Sequence, residues 1–266
     1  MTNIYLTKEE NKISNDFLKK GYLIFDIKES RSYQWVANKV TQLAVKFLKK
    51  PIKIQQSDIL DNIHKYLDLK DLNNFRMSII NEINKSDEFK VHYFSLAKDI
   101  IYMTVGNELA MQKKINLSIQ LPNDDSSLLP VHSDIWSGDS PFEIVVWLPL
   151  VDCFETKSMF ILPPQKYKKL EKSFKKVSNK SSESLYRLIK NDVKWINIKS
   201  GQVLIFNQSL PHGNRVNIES TSRWSMNCRF KSLLSPYGDK KLGEFFIPIT
   251  TRVATNIGID YKEPKL

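Results

Sequence analysis

Two segments of this chain alternate strictly between apolar and polar residues, and that alternation restricts the fold more than any other feature. In Ile115-Asn116-Leu117-Ser118-Ile119-Gln120-Leu121, one face is aliphatic and the other carries Asn116, Ser118 and Gln120. In Arg223-Trp224-Ser225-Met226-Asn227-Cys228-Arg229-Phe230, the apolar face is Trp224, Met226, Cys228 and Phe230. Its polar face is Arg223, Ser225, Asn227 and Arg229. A period of two puts successive side chains on opposite faces of a strand. A plain two-layer sheet turns its polar face to water, whereas a barrel with a ligand cavity turns it inward. Composition favours the cavity. The chain uses 33 lysines and only 7 arginines, so its solvent-facing cation is lysine. Arginine and serine set among amides read as lining.

The surrounding pattern supports a β-rich core. From Ile115 to Leu234 the chain breaks into short strand-like runs with turn residues between them: 115–121, 128–134, 142–150, 158–162, 193–198, 202–207, 211–217 and 222–231. Such a series predicts a sandwich or barrel. One lysine-rich insertion, 165–190, interrupts it and reads as partly helical. The first 112 residues read as mainly helical. Helices are expected over 7–20, 32–49, 57–65, 72–84 and 95–111, with a strand at 21–25. Ser32 is a candidate N-cap and Pro51 a terminator for the second of these. From Ser235 onward Pro236, Gly238 and Pro248 punctuate a C-terminal tail. The expected class is therefore an all-β core with helices (α+β). It forms one domain over 1–266: a mainly helical N-terminal region over residues 1–112, a core over 113–234 and a tail over 235–266.

Composition excludes several classes. No run of about 18 apolar residues exists to span a membrane, and Met1-Thr2-Asn3-Ile4-Tyr5 opens no secretory signal. Cys153 and Cys228 form no disulfide framework or zinc-ribbon spacing, so a cytoplasmic location is expected. The net charge of +11 is spread diffusely through lysine and marks no single basic patch.

The candidate chemistry begins at His132-Ser133-Asp134. Residues two apart on an extended segment face the same side and can converge on one ion. His212 follows a predicted strand, Val203-Leu204-Ile205-Phe206, and Gly213 beside it permits close approach of another group. Two imidazoles and one carboxylate on one side of a metal make the arrangement of non-haem Fe(II) oxygenases. An octahedral ion so held keeps three positions open, enough for a bidentate 2-oxo acid and O₂. With Fe(II) the site carries net charge +1, which welcomes an anionic chelator. Arg223 supplies the planar fork that the far carboxylate of 2-oxoglutarate needs, and Ser225 a hydroxyl beside it. A catalytic zinc site of the same ligand set stays open as an alternative. His64 and His92 have no acid two residues on and read as packing histidines.

At these residues the chain resembles the Fe(II)- and 2-oxoglutarate-dependent oxygenases, in the phytanoyl-CoA hydroxylase-like branch. A narrower similarity lies in Leu129-Pro130-Val131-His132-Ser133-Asp134-Ile135-Trp136-Ser137-Gly138-Asp139-Ser140-Pro141-Phe142-Glu143. It continues through Val146-Trp147-Leu148-Pro149-Leu150-Val151-Asp152 and Thr156-Lys157-Ser158-Met159. These stretches are similar to oxygenases of bacterial surface-carbohydrate clusters and aminoglycoside biosynthesis. The resemblance covers about residues 115 to 250. It implies a double-stranded β-helix, or jelly roll, with His-x-Asp on its second strand, the distal histidine on its seventh and the cosubstrate arginine on its eighth. It also implies oxidative decarboxylation of 2-oxoglutarate coupled to oxidation of a C–H bond. The substrate class would be a sugar, nucleotide sugar or related small polar metabolite. Asp134 argues against a halogenase, whose relatives vacate that position. At Leu162-Pro163-Pro164-Gln165 many relatives carry Pro-Gly-Ser-His, so the substrate loop differs here.

Further candidates are weighed against structural roles. Asn116 and Gln120 could contact 2-oxoglutarate. Trp136, Asp139, Arg215 and Arg229 could contact substrate, as could Asn214. Trp136 reads equally as a core aromatic, Asp139 as a turn residue, and Arg229 as the partner of an acid such as Glu143. Lys157 reads as an exposed turn lysine. The lysines of the insertion (166, 168, 169, 172, 175 and 176) read as a solvated helix face more readily than as a basic lid. Two other functions fit the same fold: a nucleic-acid demethylase of the same chemistry, and a non-enzymatic sugar-binding jelly roll.

Overall fold

A computed structural model describes residues 3–48, 55, 58–172 and 181–264. It is a mixed structure of helices and antiparallel sheet. The larger sheet has 7 strands. They are β1 (Tyr22–Asp26), β2 (Leu109–Gln112), β3 (Asn116–Gln120), β4 (Glu143–Pro149), β7 (Gln202–Phe206), β9 (Arg223–Ser232) and β10 (Phe246–Thr250). Their order is β1-β7-β4-β9-β2-β10, and β3 also pairs with β9. The smaller sheet is built from β5 (Phe160–Ile161), β6 (Lys194–Trp195) and β8 (His212–Gly213), in the order β6-β5-β8.

β9 organises the larger sheet. One edge pairs with β4, and the other pairs with β2 and then β3. Its register against β3 sets Asn116 opposite Asn227, Ser118 opposite Ser225 and Gln120 opposite Arg223. The two alternating segments are therefore one continuous two-faced surface. The apolar face is sealed: Trp224, Met226, Cys228 and Phe230 are fully buried.

The N-terminal helices cover that apolar face. They are α1 (Lys8–Lys20), α2 (Ser30–Phe47), α3 (Leu72–Asn84), α4 (Asp87–Ser95) and α5 (Lys98–Thr104). A capping box, with Thr7 and Glu10 each satisfying the other's backbone, starts α1. In α2, Val36, Val40, Leu43 and Ala44 form the buried stripe, and in α3 Leu72, Phe75, Ile79 and Ile83 do the same. Phe75 meets Trp224 edge-on at 6.1 Å, Phe94 meets Phe230 at 6.0 Å, and the Tyr93 hydroxyl donates to the Val146 carbonyl. The insertion forms α6 (Pro164–Glu171) and α7 (Ser182–Ile189). Leu170, Leu185 and Ile189 pack with Val131, Phe160 and Leu162 against the smaller sheet.

Several expectations need correction. The helix predicted over 95–111 ends at Thr104; Leu109–Gln112 is a strand, buried along its whole length between β9 and β10. Burial on both sides removes the alternation that would have revealed it. The tail contains β10 and a last helix, α8 (Val253–Asp260), so the sheet continues past residue 234. Ser32 lies inside α2 rather than at its cap, where its hydroxyl meets His92 Nδ1. Pro51, Ser57, Lys175 and Lys176 lie outside the described residues. From 59 to 65 the chain makes turns and a 3₁₀ turn, Ile63–Lys65, rather than an α-helix. The run 128–134 forms only one bridge, His132 to His212, because Pro130 lacks a donor and Asp134–Ser137 turns into a 3₁₀ helix.

Candidate metal centre and anion cradle

Ser133 is extended (φ −125°, ψ 135°), so His132 and Asp134 project to one side of it. The Ser133 hydroxyl points the other way and donates to the Ser209 carbonyl at 2.9 Å. Reciprocal backbone hydrogen bonds between His132 and His212, 3.0 and 2.8 Å, bring the distal histidine alongside. A Cβ at Gly213 would stand 2.7 Å from the Leu129 carbonyl, so only glycine lets the two segments approach this closely. The result is a group of His132, Asp134 and His212 whose ligand atoms all lie within 4.8 Å of one another.

Both imidazoles are oriented in the same way. His132 Nδ1 sits 2.7 Å from the Pro130 carbonyl, and His212 Nδ1 sits 2.9 Å from the Leu210 carbonyl. A carbonyl only accepts, so each Nδ1 carries the hydrogen and each Nε2 lone pair faces Asp134. Those Nε2 atoms lie 3.5 and 3.9 Å from Asp134 Oδ1. Burial is the largest influence on His212 and, with the neighbouring His132, pushes it down to about 4. At His132 burial acts in the same direction, but the Asp134 carboxylate and the Pro130 carbonyl prevail and raise it. Burial would raise Asp134, yet His132, His212 and Arg229 together hold it well below the usual carboxylate range. The donor set, two nitrogens and one oxygen converging with their outer sides already bonded, suits a divalent transition metal.

The polar face of β3 and β9 is enclosed, as the alternation predicts. Arg223 is 3% exposed and Ser225 1%. Arg223 Nη2 donates to Ser118 Oγ at 2.9 Å, and Nη1 donates to the Ser158 carbonyl at 3.3 Å. Among the described residues no carboxylate pairs with it, and burial pushes its guanidinium down to about 10. Arg223 Nε, Ser225 Oγ, Ser158 Oγ and Gln120 Oε1 are buried with no hydrogen-bond partner. A buried cation with unused donors at Arg223 Nε, Ser225 Oγ and Ser158 Oγ has the chemistry to hold an anion; Gln120 Oε1 beside them only accepts. A linear dicarboxylate fits that chemistry.

The other predicted residues divide. Asn116 Nδ2 donates to Asn227 Oδ1 on the enclosed face, and Gln120 Nε2 to the Arg215 carbonyl. Trp136 is 38% exposed beside Tyr167, so it stands at the rim and not in the core. Arg215 is held outward by Glu183 of α7 at 2.6 Å and lies over the Tyr186 ring. Asn214 is structural: its Oδ1 accepts from the Leu129 amide. Asp139 is 5% exposed, paired with Lys240 at 2.6 Å and facing Arg229. Arg229 pairs with Asp134 and Asp139, reaching Glu143 only through Gln208. Lys157 is not exposed. It is 2% accessible, and its ammonium donates to Asp61 and Thr221. In the insertion, Lys168, Lys169 and Lys172 face solvent.

Sequence reasoning missed four contributors. Ser118 lies on the predicted polar face and could have been added by parity. Ser158, Gln208 and Lys240 carry no local signal, because each reaches the site from a different segment through the fold.

No family model and no curated protein matches the sequence. Solved structures do match in shape. The nickel complex of the non-heme monooxygenase ThoJ aligns at 13% identity and TM-score 0.55, over 90% of this chain and 84% of that one. HygX from Streptomyces hygroscopicus, with nickel and 2-oxoglutarate bound, aligns at 14% and 0.51, over 89% and 90%. EctD from S. alaskensis, with 2-oxoglutarate and 5-hydroxyectoine, aligns at 15% and 0.52, over 89% and 80%. The chain shares the fold of these proteins along most of its length.

Proposed function

We propose that this chain is an Fe(II)- and 2-oxoglutarate-dependent oxygenase with a jelly-roll core in a single domain. The observation that carries the reading is the pairing of two sites on one enclosed face. The His132–Asp134–His212 group meets that face at Arg229, which pairs with Asp134, and the acid-free Arg223 with the unpartnered Ser225 and Ser158 hydroxyls stands six residues away on the same strand face. Zinc hydrolysis would use the first site and leave the second without a purpose. Nickel and 2-oxoglutarate in HygX, and 2-oxoglutarate in EctD, support the same assignment for a chain of this shape.

His132, Asp134 and His212 would hold the metal, and Arg223 with Ser225 and Ser158 would take the far carboxylate of 2-oxoglutarate. Asn116 and Gln120 would border the cosubstrate. When bound, metal and cosubstrate together supply the activation of O₂ that oxidises a C–H bond; the protein's role is to orient and enclose. His132 and His212 keep their Nε2 lone pairs aimed at the metal through the Pro130 and Leu210 carbonyls. The closed polar face keeps bulk water from the cosubstrate.

The substrate is proposed to be a carbohydrate or related small polar metabolite. The Asn116–Asn227 amide pair on the enclosed face offers an amide oxygen and an amide nitrogen that suit hydroxyl groups. Three cations named above are each matched by an acid: Arg229 by Asp134, Lys240 by Asp139 and Arg215 by Glu183. That pairing favours an uncharged polyhydroxylated substrate over a polyphosphorylated one. The test is anaerobic titration with Fe(II) and 2-oxoglutarate, watching for a visible charge-transfer band. A band that survives in both His132→Ala and Arg223→Ala would refute the assignment. Succinate release across sugars and nucleotide sugars then identifies the substrate, and 2-oxoglutarate left unconsumed throughout would favour a sugar-binding protein.

A further inference from the structure

Arg229 sits six residues past Arg223 on the same face of β9, but it does different work. Its Nη2 forms an ion pair with Asp134 Oδ2 at 2.8 Å, while Asp134 Oδ1 faces the two histidines. The two oxygens of one carboxylate are thus assigned to different partners. The guanidinium is itself held by two hydrogen bonds. Nε donates to Gln208 Oε1 at 2.8 Å and Nη1 donates to Gln112 Oε1 at 3.2 Å; Asp139 Oδ1 lies 3.5 Å from Nε as an ion pair without a hydrogen bond. Gln208 is held in turn by Glu143 Oε2 at 2.8 Å and by the Ser140 carbonyl. A fork gripped this firmly cannot rotate to follow the carboxylate, so the carboxylate must adopt the orientation the fork allows.

The chain of contacts continues outward. Asp139 Oδ2 accepts from Lys240 Nζ at 2.6 Å, and Lys240 also lies over the Phe245 ring. The segment that carries Lys240 is docked through Asp239, whose amide donates to the Gly138 carbonyl, and through Pro236, whose carbonyl accepts from the Ser140 hydroxyl. At Gly138 (φ +85°) a Cβ would collide with Asp239, so the turn and the segment fit only with glycine there.

We propose that Arg229 is a positioning residue that confines Asp134 to one-oxygen ligation. We further propose that Asp139 and Lys240 make this confinement depend on the C-terminal segment 236–246. The inference rests on the metal-site reading above. One-oxygen ligation keeps a coordination position free that a chelating Asp134 would fill. The C-terminal segment reaches Asp134 through Asp139 and Arg229, and would thereby set the openness of the centre.

The experiment reads metal binding without turnover. Full-length protein is titrated anaerobically with Fe(II) by calorimetry, and with Co(II) by visible absorption, with no cosubstrate present. Arg229→Gln is expected to change the Co(II) bands as the second Asp134 oxygen gains access to the ion, with Fe(II) affinity shifted by roughly 10-fold or more. Lys240→Met is expected to give a smaller band change in the same direction. Arg229→Lys, which restores the charge without the fork, is expected to restore little of the wild-type bands. Unchanged Co(II) bands in Arg229→Gln, whatever the affinity, would show that Arg229 acts on the ion by charge alone, and would overturn the proposal. Unchanged affinity and bands in Lys240→Met would overturn the role of the C-terminal segment, even if Arg229→Gln failed to fold. Wild-type protein that bound no metal would overturn the metal reading itself, and this proposal with it.

Discussion

Replacing Arg223 by methionine should cost the ligand-free protein little stability while abolishing its response to 2-oxoglutarate. Burial depresses the Arg223 guanidinium well below its ordinary value, to about 10. At ~1.4 kcal/mol per pKa unit, that shift is a penalty of about 3 kcal/mol on the charged form. The sign follows from linkage. The folded value lies below the unfolded one, so above about pH 10 the unfolded chain binds the extra proton. The penalty is therefore complete at every pH below about 10 and is relieved only as the pH rises beyond it. Against it stand the bonds to Ser118 Oγ and the Ser158 carbonyl, each worth about 1.5–3 kcal/mol for a charged donor. The net effect of Arg223→Met is thus between zero and a loss of about 3 kcal/mol. An anion in the cradle adds to what Arg223 contributes. Wild-type protein loaded with metal under anaerobic conditions should gain ~2.7 kcal/mol from 2-oxoglutarate at 100 times its dissociation constant. That corresponds to a rise of roughly 5–10 °C in a chain of this size. Thermal and urea denaturation with and without cosubstrate measure both arms. A loss of more than about 3 kcal/mol in ligand-free Arg223→Met, or an undiminished response to 2-oxoglutarate, would refute the reasoning.

Alanine at His132, Asp134 or His212 should lower Fe(II) affinity by at least a hundredfold while leaving the secondary structure intact, read by anaerobic calorimetry and circular dichroism; wild-type affinity in any one of the three would remove that residue from the site. Gly213→Ala places a Cβ 2.7 Å from a backbone carbonyl, so a loss of ~1–3 kcal/mol is expected in urea denaturation, with weaker metal binding as His212 shifts; a variant unchanged in both would show that the close approach is not needed. Lys157→Met strips Asp61 and Thr221 of their buried donor, and a loss of ~1.5–3 kcal/mol is expected. Asp61→Asn in the same background should then cost little, since the pair is already broken; additive losses in that double-mutant cycle would contradict the contact.

The features legible in the sequence share a physical property: they are recorded locally. Strand parity discloses the two faces of β3 and β9, and the helical stripes of α2 and α3 are written in i, i+4 spacing. His132 and Asp134 can be joined because one extended residue separates them. What stays hidden is what the chain brings together over long separations. Lys157 reads as a turn lysine because its partners, Asp61 and Thr221, lie far from it in sequence. β2 reads as helical because both of its faces are buried, which erases the period of two. β10 reads as tail because proline and glycine surround it, although Pro248 sits opposite Ala110 at the edge of the sheet, where a missing donor costs nothing.

The same distinction explains why the polar face costs stability and is kept. A sheet covered on both sides is held most firmly by apolar contacts on both sides. Here one side buries Arg223, Ser225, Gln120 and Arg229 instead. Arg229 is compensated within the protein, by Asp134, Asp139, Gln208 and Gln112. Arg223 is not, and neither are the Ser225 and Ser158 hydroxyls beside it. Two arginines on one strand face thus differ in what completes them: one is satisfied by the fold, the other only by something that enters it. A fold tolerates an unsatisfied buried cation where function requires it. That asymmetry, and not the presence of arginine on the strand, separates the group proposed to position the metal carboxylate from the group proposed to receive the cosubstrate.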